Sequence, residues 1–389
     1  MRIARKRPAL VLALFALALG CAGTAPYRRG APGVLPLRVR SVEWNPTRAK
    51  LAGVRAVADA GDVTAVFAED AVTVLRAGAI VGAPACTGGW MSAESIPAAD
   101  GNGSWLVGVD AGGQLRRIRS SARIESVAER YGLGGQRVVD VRALGAGLAA
   151  FRLEDAVAIA DATTATRLFT GPVEAIAGGG GQLALLGEGE VRVIDARTRA
   201  GRSFAVRGAR AIALDERGRL HVATSRAVYA EDPARGLQLR YVAGAELRGG
   251  LAAGGGRVWF NDGGDLGFVE DQRVAVTAGQ PVAASARLEA SPSGEVWVIE
   301  ADSLQRFAPD EDGGGTAFQR TIGPVFARAC SACHLPGGRS GVDLSTANAW
   351  ESARATIRER VIEQRSMPPL GHTLAEEDRA AVRAWLELR

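Results

Sequence analysis

The chain has 389 residues, of which 47% are hydrophobic and 23% charged, a globular composition that excludes a fully disordered protein. The formal charge of +5 includes Arg2, Arg5, Lys6 and Arg7, and it falls to +1 without these four residues. So small a charge does not support nucleic-acid binding.

Residues 1–20 read as a secretion signal, because basic residues precede an apolar run from Ala9 to Leu19. This run is too short for a stable membrane-spanning helix. It ends at Ala18-Leu19-Gly20-Cys21, which resembles the lipobox of bacterial lipoproteins. The resemblance implies that Cys21 becomes the first mature residue and carries lipid. The alternative is an ordinary secretory signal with an incidental Cys21.

Residues 21–36 are rich in Pro, Gly and Ala, which predicts a lipidated N terminus followed by a flexible tether. From residue 37 to residue 309, short alternating strands recur at intervals of 35 to 43 residues. A period near forty with about four strands is one blade of a β-propeller, so seven copies predict an all-β, seven-bladed propeller. The alternative is a β-sandwich or two smaller β-domains, but neither explains the regular spacing. The marker positions are Val63, Trp105, Leu148, Leu183, Leu220, Val258 and Val296.

The last copy of the repeat lacks one strand, and the segment 37–42 can supply it and close the ring. The Gly-rich runs 178–181 and 254–256 lack the Lys-Ser/Thr of a phosphate loop and predict blade turns. His221 alternates with inward apolar residues, so we expect it to point away from the core of its strand. The repeat resembles WD40-like, NHL-like and PQQ-type propellers only in architecture.

After a linker at residues 310–316, residues 317–389 show helical periodicity and contain the motif Cys330-Ser331-Ala332-Cys333-His334. Two thiols at this spacing can each bond one vinyl group of a porphyrin, and the adjacent histidine can ligate its iron. A zinc site would need two further Cys or His residues at ligand spacing. The other cysteines, Cys21 and Cys86, are distant in the sequence, and we expect Cys86 to be a buried free thiol.

A middle helix at 346–364 and a final helix containing Trp385 flank the segment Ser366-Met367-Pro368-Pro369. The order of these elements resembles the small class I-like cytochrome c domains, here an all-α domain. The resemblance implies one haem c bound covalently through Cys330 and Cys333, with His334 and Met367 as axial ligands. The alternative is that His372 ligates the iron and Met367 belongs to the core.

These features predict an exported electron-transfer protein whose propeller is a docking or scaffold module, with no catalytic residues assigned. The alternative is a periplasmic dehydrogenase, PQQ-type or similar, that reduces its own haem. A third possibility is a sensory haem, which would require that a gas can displace Met367. We expect a redox partner protein or a small-molecule electron donor. The expected location is the periplasmic side of a bacterial membrane, outer rather than inner, with a soluble periplasmic protein as the alternative.

Overall fold

The computed structural model describes most of the strand-rich region and of the C-terminal helices. The described residues are 27–29, 33–37, 39–41, 53–76, 79–85, 89–98, 104–119, 121, 123–145, 147–161, 164–271, 273–277, 282–301, 303–309, 321–335, 339–345, 347–369 and 373–387. The signal, Cys21, Cys86, the linker 310–316 and His372 lie outside these residues, so the expectations for them remain predictions.

Short antiparallel strands form seven sheets, and the first strands of successive sheets pack side by side around one axis. Such an arrangement is a seven-bladed β-propeller, with one sheet as each blade. Blades 1 to 4 consist of β4 (Val54–Asp59), β5 (Val63–Ala68), β6 (Val72–Arg76), β7 (Ala79–Gly82), β8 (Trp90–Pro97), β9 (Ser104–Asp110), β10 (Leu115–Ile118), β11 (Ile124–Ser126), β12 (Val138–Gly145), β13 (Leu148–Leu153), β14 (Ala156–Ala160), β15 (Ala165–Thr170), β16 (Ala175–Gly179), β17 (Gln182–Gly187), β18 (Glu190–Asp195) and β19 (Gly201–Ala205). Blades 5 to 7 contain β20 (Ala211–Leu214), β21 (Leu220–Ala223), β22 (Ala227–Asp232), β23 (Gly236–Val242), β24 (Leu247–Gly254), β25 (Arg257–Asp262), β26 (Asp265–Glu270), β27 (Arg273–Thr277), β28 (Arg287–Ala290), β29 (Val296–Ile299) and β30 (Leu304–Pro309).

The sequence repeat maps directly onto the blades, because every marker position falls on the second strand of its blade. All six residues of β5 are buried, since a neighbouring blade covers each face of this strand. The predicted seven-bladed propeller is therefore confirmed. The run 178–181 includes the turn between β16 and β17, where Gly180 and Gly181 have φ of +58° and +76°. Glycine adopts this conformation at no steric cost, which explains its presence in a blade turn.

The ring closes with a strand from the other end of the chain, as the repeat predicted. Strand β3 (Val39–Ser41) pairs antiparallel with β30 and completes blade 7, with Val39 opposite Pro309. At the joint between blades 7 and 1, the Nε1 of Trp297 donates to Oδ2 of Asp59 at 2.9 Å. The closure therefore joins both ends of the propeller sequence and leaves blade 7 with four strands.

The stretch predicted to be a flexible tether contributes two further strands at the rim of the ring. Strand β1 (Tyr27–Arg28) pairs in parallel with β23, and β2 (Val34–Leu37) pairs in parallel with β27. Leu35 and Leu37 are buried in the apolar cluster between blades 6 and 7. Because this burial offsets the entropy of ordering the chain, the propeller begins near residue 27, ten residues before the predicted boundary.

The hydrophobic core of the propeller is divided into seven clusters, one at each interface between neighbouring blades. Large aromatic side chains fill several of these interfaces. Trp259, for example, is fully buried and meets the ring of Phe268 edge-on at 5.1 Å. Each blade therefore depends on both of its neighbours for burial.

His221 corrects one expectation, because it is buried, with 3% of its surface exposed, and does not point away from the core. Its strand, β21, is covered on both faces, so alternation along the strand does not produce alternate exposure. Neither ring nitrogen has a hydrogen-bond partner among the described residues, and Nε2 lies 3.8 Å from Oδ2 of Asp215. Burial lowers the pKa of His221, although Asp215 opposes this effect.

The C-terminal region is helical, as predicted. Its first helical stretch consists of α1 (Gly323–Val325), a π-helical turn (Phe326–Cys330) and α2 (Ser331–His334). The middle stretch consists of α3 (Ala347–Ser352), α4 (Arg354–Ile357) and a second π-helical segment (Arg358–Glu363). The last helix is α5 (Glu376–Glu387). No helix in the described part of the chain is long and apolar enough to cross a bilayer.

Candidate haem-binding site

One apolar cluster holds the three helical stretches together and so fixes the position of the Cys-x-x-Cys-His motif. Within it, the rings of Trp350 and Trp385 meet edge-on at 5.8 Å, and Nε1 of Trp350 donates to the carbonyl of Leu344 at 2.7 Å. Cys330 itself packs against this cluster. The buried members are Ile322, Val325, Phe326, Leu344, Trp350, Ile357, Leu374, Val382, Trp385 and Leu386.

The two cysteines of the motif lie three residues apart on the same face of one helical stretch. Cys330 ends the π-helical turn and Cys333 lies in α2, and residues three apart in a helix are neighbours on its surface. Both are free thiols and partly buried. Burial, with a smaller contribution from the carboxylate of Asp378, raises the pKa of Cys330 to about 12. The thiol is therefore uncharged at neutral pH.

His334 is oriented by the loop that follows its own helix. Its Nδ1 lies 3.0 Å from the carbonyl oxygen of Val342 and 3.1 Å from Oγ of Ser340. A carbonyl oxygen can only accept a hydrogen bond, so Nδ1 carries the proton in this geometry. In the neutral imidazole, Nε2 then has a lone pair available for a metal.

Ser340 and Val342 are site residues that the sequence analysis did not identify. The hydroxyl of Ser340 lies 2.8 Å from the carbonyl of Cys333, and it accepts the backbone N–H of Val342 at 3.1 Å. The backbone N–H of Leu344 donates to the carbonyl of His334 at 2.9 Å. These bonds fold the loop back onto the motif. The sequence offers one signal for Ser340 and Val342, which is that their loop follows the histidine closely along the chain.

Met367 lies in the segment after the second π-helical stretch, where its side chain is partly buried. The backbone N–H groups of Ser366 and Met367 both donate to the carbonyl of Arg360, at 2.8 and 3.1 Å. This shared acceptor ties the Met-Pro-Pro segment to the end of the middle helical stretch. Cys330, Cys333 and His334 lie in the first helical stretch, whereas Met367 follows the middle stretch. The role of Met367 as a ligand remains a prediction.

The residues around the motif fit a covalently bound haem. Two free thiols share a helical face beside an apolar cluster, and the adjacent imidazole is held with Nε2 available. The thiols would form the covalent attachment and His334 would ligate the iron. Among the described residues, no group of three or more His, Cys, Asp or Glu side chains could hold a bare metal ion.

The propeller contains a second feature of functional interest, a cavity of about 1150 Å³ on its axis. The first strands of all seven blades line it, together with the turns after several of them. The described lining residues include no aromatic side chain and no histidine. This volume is as large as that of typical small-molecule sites.

Comparison with known protein families identifies the C-terminal region. Residues 318–386 match the family model described as cytochrome c oxidase, cbb3-type, subunit III. The match covers the Cys-x-x-Cys-His motif, Met367 and the final helix. A cytochrome c domain implies haem and haem-based electron transfer. A search of the curated proteins finds no match to this chain.

Solved structures resemble the propeller in fold alone, because sequence identities are low. Virginiamycin B lyase from Staphylococcus aureus is 10% identical, with a TM-score of 0.52 over 70% of this chain and 99% of that one. A streptogramin B lyase is 11% identical, with a TM-score of 0.52 over 70% and 98%. PorZ, an essential surface component of the type-IX secretion system of Porphyromonas gingivalis, is 11% identical with a TM-score of 0.51; the match covers 69% of this chain but only 37% of PorZ. The chain therefore carries a cytochrome c domain, which matches the cbb3-type subunit III model over residues 318–386, C-terminal to a seven-bladed β-propeller.

Proposed function

We propose that this protein is an exported mono-haem cytochrome c that transfers single electrons. In this proposal, Cys330 and Cys333 form the thioether bonds, and His334 and Met367 are the axial ligands. The observation that carries it is the hydrogen bond between Nδ1 of His334 and the carbonyl of Val342, 3.0 Å long, because it leaves Nε2 for the iron.

The proposed ligands suit electron transfer better than catalysis at the haem. The bound haem supplies a reversible one-electron couple, and a Met ligand opposite His raises its reduction potential relative to two His ligands. If His334 and Met367 both held the iron, no coordination site would be open to oxygen or peroxide. The loop bonds of Ser340 hold the histidine in place, which limits the rearrangement that accompanies each electron.

We further propose that Cys21 carries lipid and anchors the protein on the periplasmic side of a bacterial membrane. Strand β1 begins six residues after Cys21, and a fully extended chain of six residues spans about 20 Å. The propeller would thus lie close to the membrane surface. A redox partner protein or a small-molecule electron donor would dock on it.

A second candidate function is favoured by the cavity of about 1150 Å³ on the propeller axis. A periplasmic dehydrogenase using a quinone cofactor would oxidise its substrate there and reduce the haem. Reconstitution with quinone cofactor and calcium, followed by addition of sugars or alcohols, tests this alternative. Haem reduction by one substrate class would replace the scaffold role with a catalytic one.

The haem proposal is tested by expressing the full chain in a host with the c-type maturation machinery. We expect a mass increase of one haem that survives denaturation and acidic acetone extraction, and an absorption spectrum typical of two thioether bonds. Cys333→Ala should retain at most one thioether bond and shift the spectrum accordingly, while Cys86→Ala, the matched control, should behave as the wild type. Haem that is extracted intact from the wild type would contradict the proposal.

A further inference from the structure

The wall of the axial cavity has a charged arc and an apolar arc. On blades 4 to 6 the wall consists mainly of small or aliphatic residues, including Ala177, Ile212, Ala213, Leu251 and Ala252, and the charged residues there all belong to blade 5: Arg210, Asp215 and Glu216. On blades 7, 2 and 3 it carries the charged residues Glu94, Asp140, Arg142, Arg287 and Glu289. A ligand that matches this wall has one polar end and one apolar side.

Carboxylates outnumber guanidinium groups along the cavity. Seven carboxylates and three arginines are among the described lining residues. Asp215 is paired with Arg219 outside the lining, and the other six carboxylates still outnumber the arginines, so a cation is favoured over an anion. The carboxylates are Asp59, Asp62, Glu94, Asp140, Asp215, Glu216 and Glu289, and the arginines are Arg142, Arg210 and Arg287.

Asp140 is the best-satisfied carboxylate of the charged arc. It accepts hydrogen bonds from the hydroxyl of Ser92 and the backbone N–H of Val141, and its Oδ1 lies 3.5 Å from Nη1 of Arg142. Arg142 is therefore already partnered, and Oδ1 of Asp140 is occupied.

Glu94 and Glu289 have acceptor positions to spare. Glu289 makes no hydrogen bond among the described residues, and its closest ion pair, with Arg287, is 3.7 Å long. Glu94 accepts one backbone N–H, from Ser95 at 3.2 Å, and lies 3.8 Å from Arg142. These two carboxylates have few hydrogen-bond partners in a partly enclosed space, so the site has room for a ligand that donates hydrogen bonds.

We propose that this cavity binds a small organic cation, with its ammonium group hydrogen-bonded to Glu94 and Glu289 and its apolar body against blades 4 to 6. An ammonium group has three N–H donors and no acceptor, which matches acceptor-only carboxylates. A bare metal ion fits less well, because no metal-binding group of three ligands exists among the described residues. A flat aromatic ligand would find no aromatic side chain among the described lining residues.

A smaller pocket of about 370 Å³ adjoins the cavity. Arg210, Ala211, Gly249 and Gly250 line both spaces. Glu246 lies in the smaller pocket beside Arg210 and Arg248, with which it forms ion pairs. The smaller pocket thus lies between blades 5 and 6.

Calorimetric titration of the haem-loaded full chain with hexylammonium chloride at pH 8 tests the proposal. We expect saturable binding of hexylammonium, with hexanol and hexanoate at least tenfold weaker, because they lack the cation. Methylammonium should also bind more than tenfold more weakly, because each buried methylene contributes about fourfold. Equal binding of hexanol and hexylammonium, or no binding of hexylammonium, would overturn the proposal.

Variants then test the assigned carboxylates. Glu289→Gln should weaken hexylammonium binding about tenfold or more, as expected for a hydrogen bond to a charged group. Glu154→Gln is the matched control, because Glu154 pairs with Arg137 at an exposed turn away from the cavity. If the two variants bind hexylammonium equally well and retain wild-type melting temperatures, Glu289 is not part of the binding site. If Glu289→Gln does not fold, Glu94→Gln is compared with the control in the same way.

The pH dependence gives an independent readout. Burial is the largest factor that raises the pKa of Glu94, to about 7; Glu289 and Asp140 add to the rise, and Arg142 opposes it. Burial also raises the pKa of Glu289, which faces Arg142, Arg287 and Asp140. Hexylammonium affinity should thus increase several-fold from pH 6 to pH 8, and less so in Glu94→Gln. A flat profile in the wild type would contradict the assignment.

Discussion

His334 is held by one carbonyl and one hydroxyl on the loop that follows its helix. Both contacts act on Nδ1, so they orient the ring and leave the opposite nitrogen available for a metal. The motif in the sequence identified the histidine but could not identify Ser340 and Val342. Their contribution depends on how the loop folds back, which is a property of the tertiary structure.

The ligand role of Met367 can be tested by Met367→Ala. We expect loss of the sulfur-to-iron charge-transfer band of the ferric protein, new carbon monoxide binding, and a reduction potential lower by on the order of 100 mV, because the soft thioether ligand is gone. Absorption spectroscopy and redox titration measure these changes.

Met91→Leu is the matched control, because Met91 lies on β8 of the propeller, and its spectrum and potential should equal those of the wild type. If Met367→Ala keeps the charge-transfer band, Met367 is not the ligand. If instead His372→Ala alone opens the iron to carbon monoxide, the alternative ligand is correct.

At the scale of elements, the strands from the N terminus complete or extend three blades. Strand β3 supplies the fourth strand of blade 7, while β1 and β2 add fifth strands to blades 5 and 6. The contribution of β3 followed from counting strands in the repeat. The positions of β1 and β2 did not, because a two-residue or four-residue strand in a Pro- and Gly-rich stretch has no periodicity to detect.

Deletion of residues 22–41, with Cys21 retained, should destabilise the propeller. The deletion removes β1, β2 and β3 and exposes the surfaces that bury Leu35 and Leu37, at a cost of a few kcal/mol. We expect a melting temperature lower by about 5–10 °C, followed by circular dichroism.

Deletion of residues 22–26 alone is the control for that experiment, since it stops before Tyr27 and leaves all three strands intact. Its melting temperature should equal that of the wild type. Equal melting temperatures for both deletions would mean that the N-terminal strands contribute nothing to ring stability.

At the scale of the whole molecule, seven interfaces between blades form the core and leave a charged cavity on the axis. Glu94 in that cavity has a folded-state pKa of about 7 against an ordinary value of 4.5. The folded protein therefore holds this proton more tightly than the unfolded chain. The resulting stability is fully present below pH 4.5 and is lost as the pH rises through 7.

Between pH 5 and pH 8, this carboxyl should lower the free energy of unfolding of the propeller by about 1–2 kcal/mol, after allowance for its partial exposure to solvent. Urea unfolding of the wild type and of Glu94→Gln at both pH values measures the difference. The variant should lose this part of the pH dependence, while Glu154→Gln should retain it. If the free energy of unfolding of Glu94→Gln changes with pH as much as that of the wild type, other groups cause the pH dependence.

The proposed membrane anchor is Cys21. We expect Cys21→Ala to move the protein from the membrane fraction to the soluble periplasmic fraction, because a lipid chain can no longer be attached. Cys86→Ala is the matched control and should stay with the membranes. Immunoblots of the fractions measure this, and a membrane-bound Cys21→Ala protein would contradict lipid anchoring at this residue.

The sequence by itself determined the number of blades, the closing strand and the haem motif, because a fixed period and a contiguous Cys-x-x-Cys-His leave a mark in the order of residues. It misplaced His221, since both faces of a second strand are covered and local alternation does not report burial there. Only the tertiary structure brought Ser340 back to His334 and placed Glu94, Arg142 and Glu289 around one cavity. The spacing of these residues in the sequence carries no signal, because the fold of a loop brings Ser340 to His334 and the closed ring brings Glu94, Arg142 and Glu289 together.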